Sequence, residues 1–542
     1  VKRSLAIFAS AWLTLSLLAG AWAMATPISG APDEPAHIIK AASVVRGQFV
    51  GTPSENGHTV NVPQYIASTH AVTCFAFQPE VAADCADSVP LGDDTIIPAE
   101  TSAGLYNPVY YELVGWPSLL VNDESGIYLM RIVSGMVASA FLALSFVLIA
   151  SWSRRVLPML GLVVACTPMV FFLNGVVNPN SLETAATLAA FVALLSVVLQ
   201  PNERLLNHRL IILVVSSAFA VNTRGLSPLW LAVVLVIPLA LLSWKSLLAL
   251  IGRKQVIWAI GAIFASTGVA ILWMLSSNSL AAGISTDEVV TDYPGVGSSF
   301  LVGFVNVFSE TFGFANGLVG QFGWLDTTAP AVTLFVWAAL TGVLIIAAAA
   351  VLRGRRLTVF VLLAGSLVII PALIQGVYIT AGGFIWQGRY ALPLFVCLVV
   401  GTAALISQSL TMTDRSVQRR LTGAILVTAA FAQIIAFAVV LQRYAVGSSG
   451  SLRDFYLDPA WQPPGGVLTW LAFYAITLLA GSILAFWWAW HESGPSSSHQ
   501  IDNMNSQTDG RANGEGEDAA TVQIYGQEEK RDHADSRSHP AR

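Results

Sequence analysis

The sequence predicts an all-α polytopic membrane protein whose first two spans are separated by a large folded loop. Three observations carry this expectation. Hydrophobic residues make up 55% of the 542 and charged residues only 11%, with a mean hydropathy of +0.66, whereas soluble chains carry about 25% charged residues. Apolar stretches of about 17–25 residues recur along the chain, the length a helix needs to cross a bilayer core while closing its own backbone hydrogen bonds. Between the first two stretches lies a polar segment, 27–126, with Tyr, Phe and Pro throughout. The net charge of −5 gives no reason to expect a nucleic-acid partner.

In chain order, Lys2 and Arg3 precede an apolar run that resembles a signal peptide. The run is long, contains Trp, and is followed by many others, so residues 1–26 are expected to stay as the first transmembrane helix. Residues 27–126 then form an extracytoplasmic cap, with twelve Asp or Glu against Lys40 and Arg46. Cys74 and Cys85, eleven residues apart, are expected to form a disulfide on the oxidising side. Cys166 and Cys397 fall within apolar runs and read as packing residues.

Spans two to seven follow within 127–276, near 127–150, 156–173, 181–199, 209–222, 228–244 and 255–275. Spans eight to twelve lie within 331–490, near 331–351, 357–379, 390–408, 421–441 and 467–489. That makes twelve, of which 209–222 is the shortest. Residues 277–330 are aromatic and Gly-rich but broken by Asn306, Glu310, Asn316 and Gln321, which suits short juxtamembrane or re-entrant helices on the outside. Residues 442–466 form a further external loop. The last stretch, 491–542, has ten acidic and five basic residues and few apolar ones, and is expected to be a disordered cytoplasmic tail. With twelve spans, Lys2, Arg3 and the loops holding Arg154, Arg155, Arg204, Arg209, Lys245, Arg253, Lys254, Arg353, Arg355, Arg356, Arg415, Arg419 and Arg420 share one side with both termini. This is the positive-inside pattern, and it places both termini in the cytoplasm of a bacterial plasma membrane.

Function is sought on the other side. Pro32-Asp33-Glu34-Pro35-Ala36-His37 stands where the first span meets the cap. The prolines interrupt regular structure, so one carboxylate can enter a cavity while its neighbour caps a helix. Asp33 or Glu34 is the candidate catalytic base, accepting a proton from a sugar hydroxyl. His37 could orient a carboxylate, bind phosphate, or join Asp33 and Glu34 around Mg2+ or another divalent cation. Two external turns hold Asn178, Asn180 and Glu183, and Arg224. A third, Trp386-Gln387-Gly388-Arg389-Tyr390, opens a span. Helix starts expose amide hydrogens and Arg offers a planar donor set, which makes Arg389 the leading phosphate contact. Each residue also has a structural alternative, as a helix cap, an interface anchor or an ion-pair partner. No Walker, kinase or HExxH pattern is present, which argues against ATP coupling and a soluble nucleotide-sugar donor domain.

Four pieces, PDEPAH at 32–37, NGVVNPNSLE at 174–183, FGWLD at 322–326 and QGRY at 387–390, in that order relative to the spans, resemble the DUF2142 family of bacterial polytopic membrane proteins over roughly 5–440. The family pattern reads Asn-Pro-Asp in the second piece, where this chain has Asn180. Through these pieces Trp324, Asp326, Gln387 and Tyr390 join the candidate substrate-binding residues. The layout also resembles the GT-C class of membrane glycosyltransferases. That resemblance implies a GT-C-like helical bundle, a polyprenyl-phosphate sugar as donor, a cell-envelope glycan or glycolipid as acceptor, inverting transfer outside the cytoplasmic leaflet, and Asp33 as base with Glu34 as the alternative. Two other functions fit a polytopic chain: a transporter or flippase of lipid-linked sugars or polysaccharide, and a non-catalytic scaffold for envelope assembly. The suggestive groups stand at external helix ends and not at helix centres, which favours catalysis over transport.

Overall fold

Uninterrupted runs of Leu, Val, Ile, Phe and Ala satisfy their backbones most simply as helices when water is absent. The computed structural model, which describes residues 2–55, 57–90, 94–279, 294–410 and 414–491, has ten helices long and apolar enough to cross a membrane. They are Lys2–Ala25, Glu124–Ala150, Pro179–Leu199, Glu203–Val221, Lys254–Ser276, Ala331–Val351, Arg355–Gly382, Gly388–Ser409, Arg415–Val446 and Val467–Trp490. Trp258, Phe264, Phe335 and Val377 on their outer faces are all exposed, as suits a surface covered by lipid. The protein is a multi-pass helical membrane protein. Apart from His491, the tail expected over 491–542 lies outside the described residues.

Two expected spans differ from simple helices. The run 156–173 becomes a pair, Val156–Ala165 and Pro168–Asn174, bent by 62° and an eleventh span if counted as one. Pro168 starts the second arm, because proline suits a first helical turn but breaks an interior. Thr167 caps that arm and donates through its hydroxyl to the Leu318 carbonyl at 2.7 Å.

The run 228–244 is shorter than expected. Ten α-helical residues, Ser227–Val236, pass into five of 3-10 helix, Ile237–Leu241. They rise about 25 Å in total. The preceding helix starts earlier than the sequence suggests, at Glu203 in place of 209. At one end of this pair Asn222 accepts from Asn107 of the cap at 2.8 Å. At the other, Arg253 pairs with Glu203 at 2.6 Å. The short helix therefore carries the chain from the cap end of the bundle to its far end.

The cap contains more than helix. Strands Thr52–Ser54, Gly57–Pro63 and Ile96–Thr101 form an antiparallel sheet in that order, with Val60 opposite Ala99. The buried helix Glu34–Val44 packs against it. Cys74 and Cys85 form the expected disulfide.

Residues 300–328 fold as two short helices, Phe300–Ser309 and Thr311–Val319, and a small hairpin pairing Gln321–Phe322 with Thr327–Thr328. Within 442–466 the long helix continues to Val446, and a short helix, Leu452–Leu457, follows. The long helix has 32 residues, about 48 Å of rise. Its last turn thus reaches the cap, where buried Arg443 donates to the carbonyls of Phe75, Gln78 and Val81.

Candidate functional site

The site is built where the cap meets the ends of the spans. Pro179–Leu199 and Leu392–Ser409 are almost wholly buried, so the turns that begin them are held from all sides. Asn178 caps the first of these, accepting from the Asn180 amide at 3.0 Å, and its own amide reaches the Pro32 carbonyl at 3.4 Å. Glu183, one turn along, accepts from Asn180 at 2.9 Å and from the Ser227 hydroxyl at 2.6 Å. Before the second buried span, Gly388 and Arg389 lie against the Thr311–Val319 helix. A Cβ on Gly388 would fall 1.9 Å from the Phe314 carbonyl oxygen, so only glycine permits this approach.

Asp33 and Glu34 are adjacent and point to different partners. Asp33 has φ of 64°, a left-handed conformation that Asp tolerates better than most residues. It occupies the N-cap position of the cap helix but makes no side-chain cap hydrogen bond. Instead its Oδ2 accepts from Arg389 Nη2 at 2.7 Å, with the Asp33 side chain 50% exposed and that of Arg389 only 2%. Gln387 orients the same guanidinium, accepting from its Nε at 2.7 Å.

Glu34 is fully buried and faces Arg131, also fully buried. Arg131 Nε and Nη2 each donate to it at 2.7 Å, and the Val177 amide donates at 3.1 Å. The remaining Arg131 donors go to the carbonyls of Ala23, Thr26 and Pro27. Such a bidentate pair with its other donors satisfied is a stable way to bury two charges.

Arg224 completes the cluster from the turn before Ser227. Its guanidinium lies 4.7 Å from the centre of the Tyr390 ring, and that of Arg389 lies 5.4 Å from it. The Arg224 side chain is 20% exposed, and its Nη1 is 3.9 Å from Glu183 Oε2. Tyr106 lies beside Arg224. His37 is buried, with Nδ1 2.9 Å from the Tyr111 hydroxyl.

Electrostatics set the protonation states. Partial burial raises the pKa of Asp33, but the guanidinium of Arg389, with Arg224 behind it, outweighs this and holds it below the usual value. It is therefore a carboxylate at neutral pH. Burial drives the pKa of His37 down to about 3, against the pull of Asp33, which leaves a neutral imidazole. Asp33, Glu34 and His37 thus turn to Arg389, Arg131 and Tyr111. Among the described residues no three His, Cys, Asp or Glu side chains are placed to hold a metal.

The FGWLD piece is close by but turned otherwise. Trp324 Nε1 donates to the Ser29 carbonyl at 2.9 Å, and buried Asp326 pairs with Arg443 at 2.9 Å. These contacts clamp the hairpin to the cap and to the end of the long helix. Arg131, Arg443, Tyr106 and Tyr111 are not among the residues the sequence singles out. Arg131 had a signal, since an arginine inside an apolar span needs a buried partner. The tyrosines had none, because cap packing alone brings them to Arg224 and His37.

The order of these turns is that of a known family. The family model described as "Predicted membrane protein (DUF2142)" matches residues 15–398. The chain belongs to the DUF2142 family. All four of its sequence pieces fall inside the match, and three of them, PDEPAH, NGVVNPNSLE and QGRY, meet at the Asp33 cluster. No curated protein matches this DUF2142 chain. Among solved structures it is similar to ArnT from Cupriavidus metallidurans, bound there to undecaprenyl phosphate. The identity is 14% and the TM-score 0.40, covering 90% of this chain and 76% of ArnT.

Proposed function

We propose that the protein is an inverting glycosyltransferase that moves a sugar from a polyprenyl-phosphate donor to a cell-envelope glycan or glycolipid acceptor on the extracytoplasmic side. One observation carries this: a half-exposed carboxylate, Asp33, is held ionised against a guanidinium, Arg389, where the cap meets the spans, with a second guanidinium, Arg224, across Tyr390. In an inverting transfer the acceptor oxygen attacks the anomeric carbon while the bond from that carbon to the phosphate oxygen breaks. Asp33 takes the proton from the acceptor hydroxyl. Arg389, oriented by Gln387, and Arg224 stabilise the negative charge left on the polyprenyl phosphate. The leaving group is already a good one, so positioning and electrostatic stabilisation supply much of the rate. Glu34 and Arg131 hold the turn that aims Asp33, and neutral His37 with Tyr111 supports its helix.

The side of action follows from charge. Arg154, Arg155, Arg204, Lys245, Arg253, Lys254, Arg353, Arg355 and Arg356 gather at the end of the bundle remote from the cap. By the positive-inside rule that end faces the cytoplasm, with both termini. The test is transfer of a labelled sugar from a polyprenyl-phosphate sugar by the protein in nanodiscs. D33N and R389Q should each lower formation of the new glycosidic bond by about 10²-fold or more. Unchanged transfer in both, or movement of the lipid-linked sugar across the bilayer with no bond made, rejects the proposal.

A further inference from the structure

Left-handed backbone on residues other than glycine is concentrated at one place. Among the described residues five have it: Ser29, Asp33, Phe77, Asn278 and Leu325. Four of the five belong to the neighbourhood of Trp324. Leu325 follows Trp324 in the hairpin, the Ser29 carbonyl accepts from the Trp324 indole at 2.9 Å, and the Phe77 ring stands edge-to-face with it, the centroids 5.4 Å apart. Asp33 is four residues beyond Ser29, at most about 14 Å of chain, and is the exposed end of a buried loop. Such conformations are costly and persist where surrounding contacts enforce them, mostly at binding and catalytic sites.

Phe77 is the least expected of them. The Gln78 amide donates to the Phe75 carbonyl at 3.2 Å, so Phe77 is the third residue of a turn, where a positive φ ordinarily calls for glycine or asparagine. Its φ is 59°, and it is 69% exposed, whereas Phe75 is fully buried. The loop is made to hold this shape. The disulfide closes it, and Arg443 donates to the carbonyls on either side of Phe77, those of Phe75 and Gln78. The same guanidinium pairs with Asp326, two residues from Trp324, and so sets both rings. A ring needed only for packing would be turned inward, as Phe75 is.

An aromatic face held in water suits the C–H face of a sugar ring, whose hydrogens carry the partial positive charge that the ring quadrupole attracts. Charge narrows the class. Gln78, Glu80 and Asp84 are exposed in the same loop. The cap as a whole has twelve acids against Lys40 and Arg46, and both of these donate to carbonyls of the cap itself. Such a surface repels phosphate-bearing polymers and anionic lipid headgroups, while its carboxylates accept from hydroxyls. We infer that Phe77 and Trp324 form an acceptor subsite for an uncharged sugar ring of a glycan, set back from Asp33 by a few sugar units. Stacking holds the chain there while its terminal hydroxyl reaches Asp33. That this sugar belongs to the acceptor rests on the proposed glycosyl transfer; the sugar binding itself does not.

Saturation-transfer NMR of the full chain in nanodiscs reads the binding of cellotetraose, mannotetraose and galactotetraose, with tetragalacturonate as the anionic comparison. At least one neutral tetrasaccharide should receive saturation at its ring C–H protons, and tetragalacturonate should not. F77G should weaken that binding by roughly tenfold, while the melting temperature holds or rises because glycine relieves the left-handed strain. F77W should restore binding. In the transfer assay F77G should raise the KM for the acceptor and leave the KM for the donor as it is. Saturation of none of the neutral sugars, preference for tetragalacturonate, a melting temperature that falls together with binding in F77G, or a dimer of the chain that F77G dissolves overturns the assignment. Transfer by F77G with an unchanged acceptor KM also overturns it and leaves the proposed transfer standing. Binding that F77G weakens, in a protein that makes no glycosidic bond, overturns the transfer and leaves the sugar site.

Discussion

At the scale of the residue, two neighbouring carboxylates have been given different tasks by one backbone angle. The left-handed Asp33 turns its side chain away from the helix it begins, toward Arg389, while Glu34 enters the helix and meets Arg131. D33N should lower transfer by about 10²–10⁴-fold, the usual contribution of a general base, and leave the melting temperature close to wild type. E34A should behave in the opposite sense. It strands the buried Arg131, at a cost of about 3–5 kcal/mol, so folded protein recovered in detergent should fall before any activity per folded molecule does.

His37 adds a dependence on pH. Its pKa is about 3 in the folded protein against an ordinary value of 6.5, so between these limits the unfolded chain binds a proton that the folded one does not. Stability is full above about pH 6.5 and falls as pH drops toward 3, with a slope of at most about 1.4 kcal/mol per pH unit. Asp33, with its own pKa lowered, adds to the loss only at the acid end. H37N should flatten the part of the melting-temperature profile between pH 6 and 4 and leave the steeper fall below it, a comparison that scanning calorimetry can make.

At the scale of the element, the cap is fastened at two points of different chemistry. The disulfide closes a loop across a separation of eleven residues, worth about 3 kcal/mol in chain entropy. Arg443 grips the carbonyls of the same loop from the long helix and pairs with Asp326 from the hairpin. C74S/C85S should therefore leave a folded cap with a lower melting temperature. R443A, which leaves Asp326 buried without its partner, should expose the segment around Phe75–Val81 to limited proteolysis. The helix Ser227–Leu241 makes a separate prediction. Its contacts carry the chain between opposite ends of the bundle although it is shorter than an ordinary span. Single cysteines at the exposed positions Gly225 and Gly252 should be labelled from opposite sides of sealed vesicles; labelling from the same side would show that the helix does not cross.

At the scale of the whole molecule, the helical membrane class was legible because it depends on what lipid forbids. A bilayer core offers no hydrogen bonds, so each long apolar run has little choice but helix, and composition alone locates most of them. The Cys74 and Cys85 pairing was legible for a similarly local reason, their short separation. Three of the four sequence pieces are turns that the structure brings together around Asp33, since prolines, glycines and Asn caps concentrate where spans begin. The small sheet in the cap, the bend at Thr167 and the short crossing helix were not legible, because each depends on contacts between segments far apart in sequence. The sequence expected Asp33 and Glu34 to take different roles, but their partners, Arg389 and Arg131, are distant in the chain and only the fold brings them up. By itself the sequence determined a helical, multi-pass membrane protein of the DUF2142 family with its polar residues gathered at helix starts. The tertiary structure alone decided which carboxylate is buried in an ion pair and which is left half-exposed beside Arg389, because a charge in a membrane protein takes its role from the partner that packing brings to it.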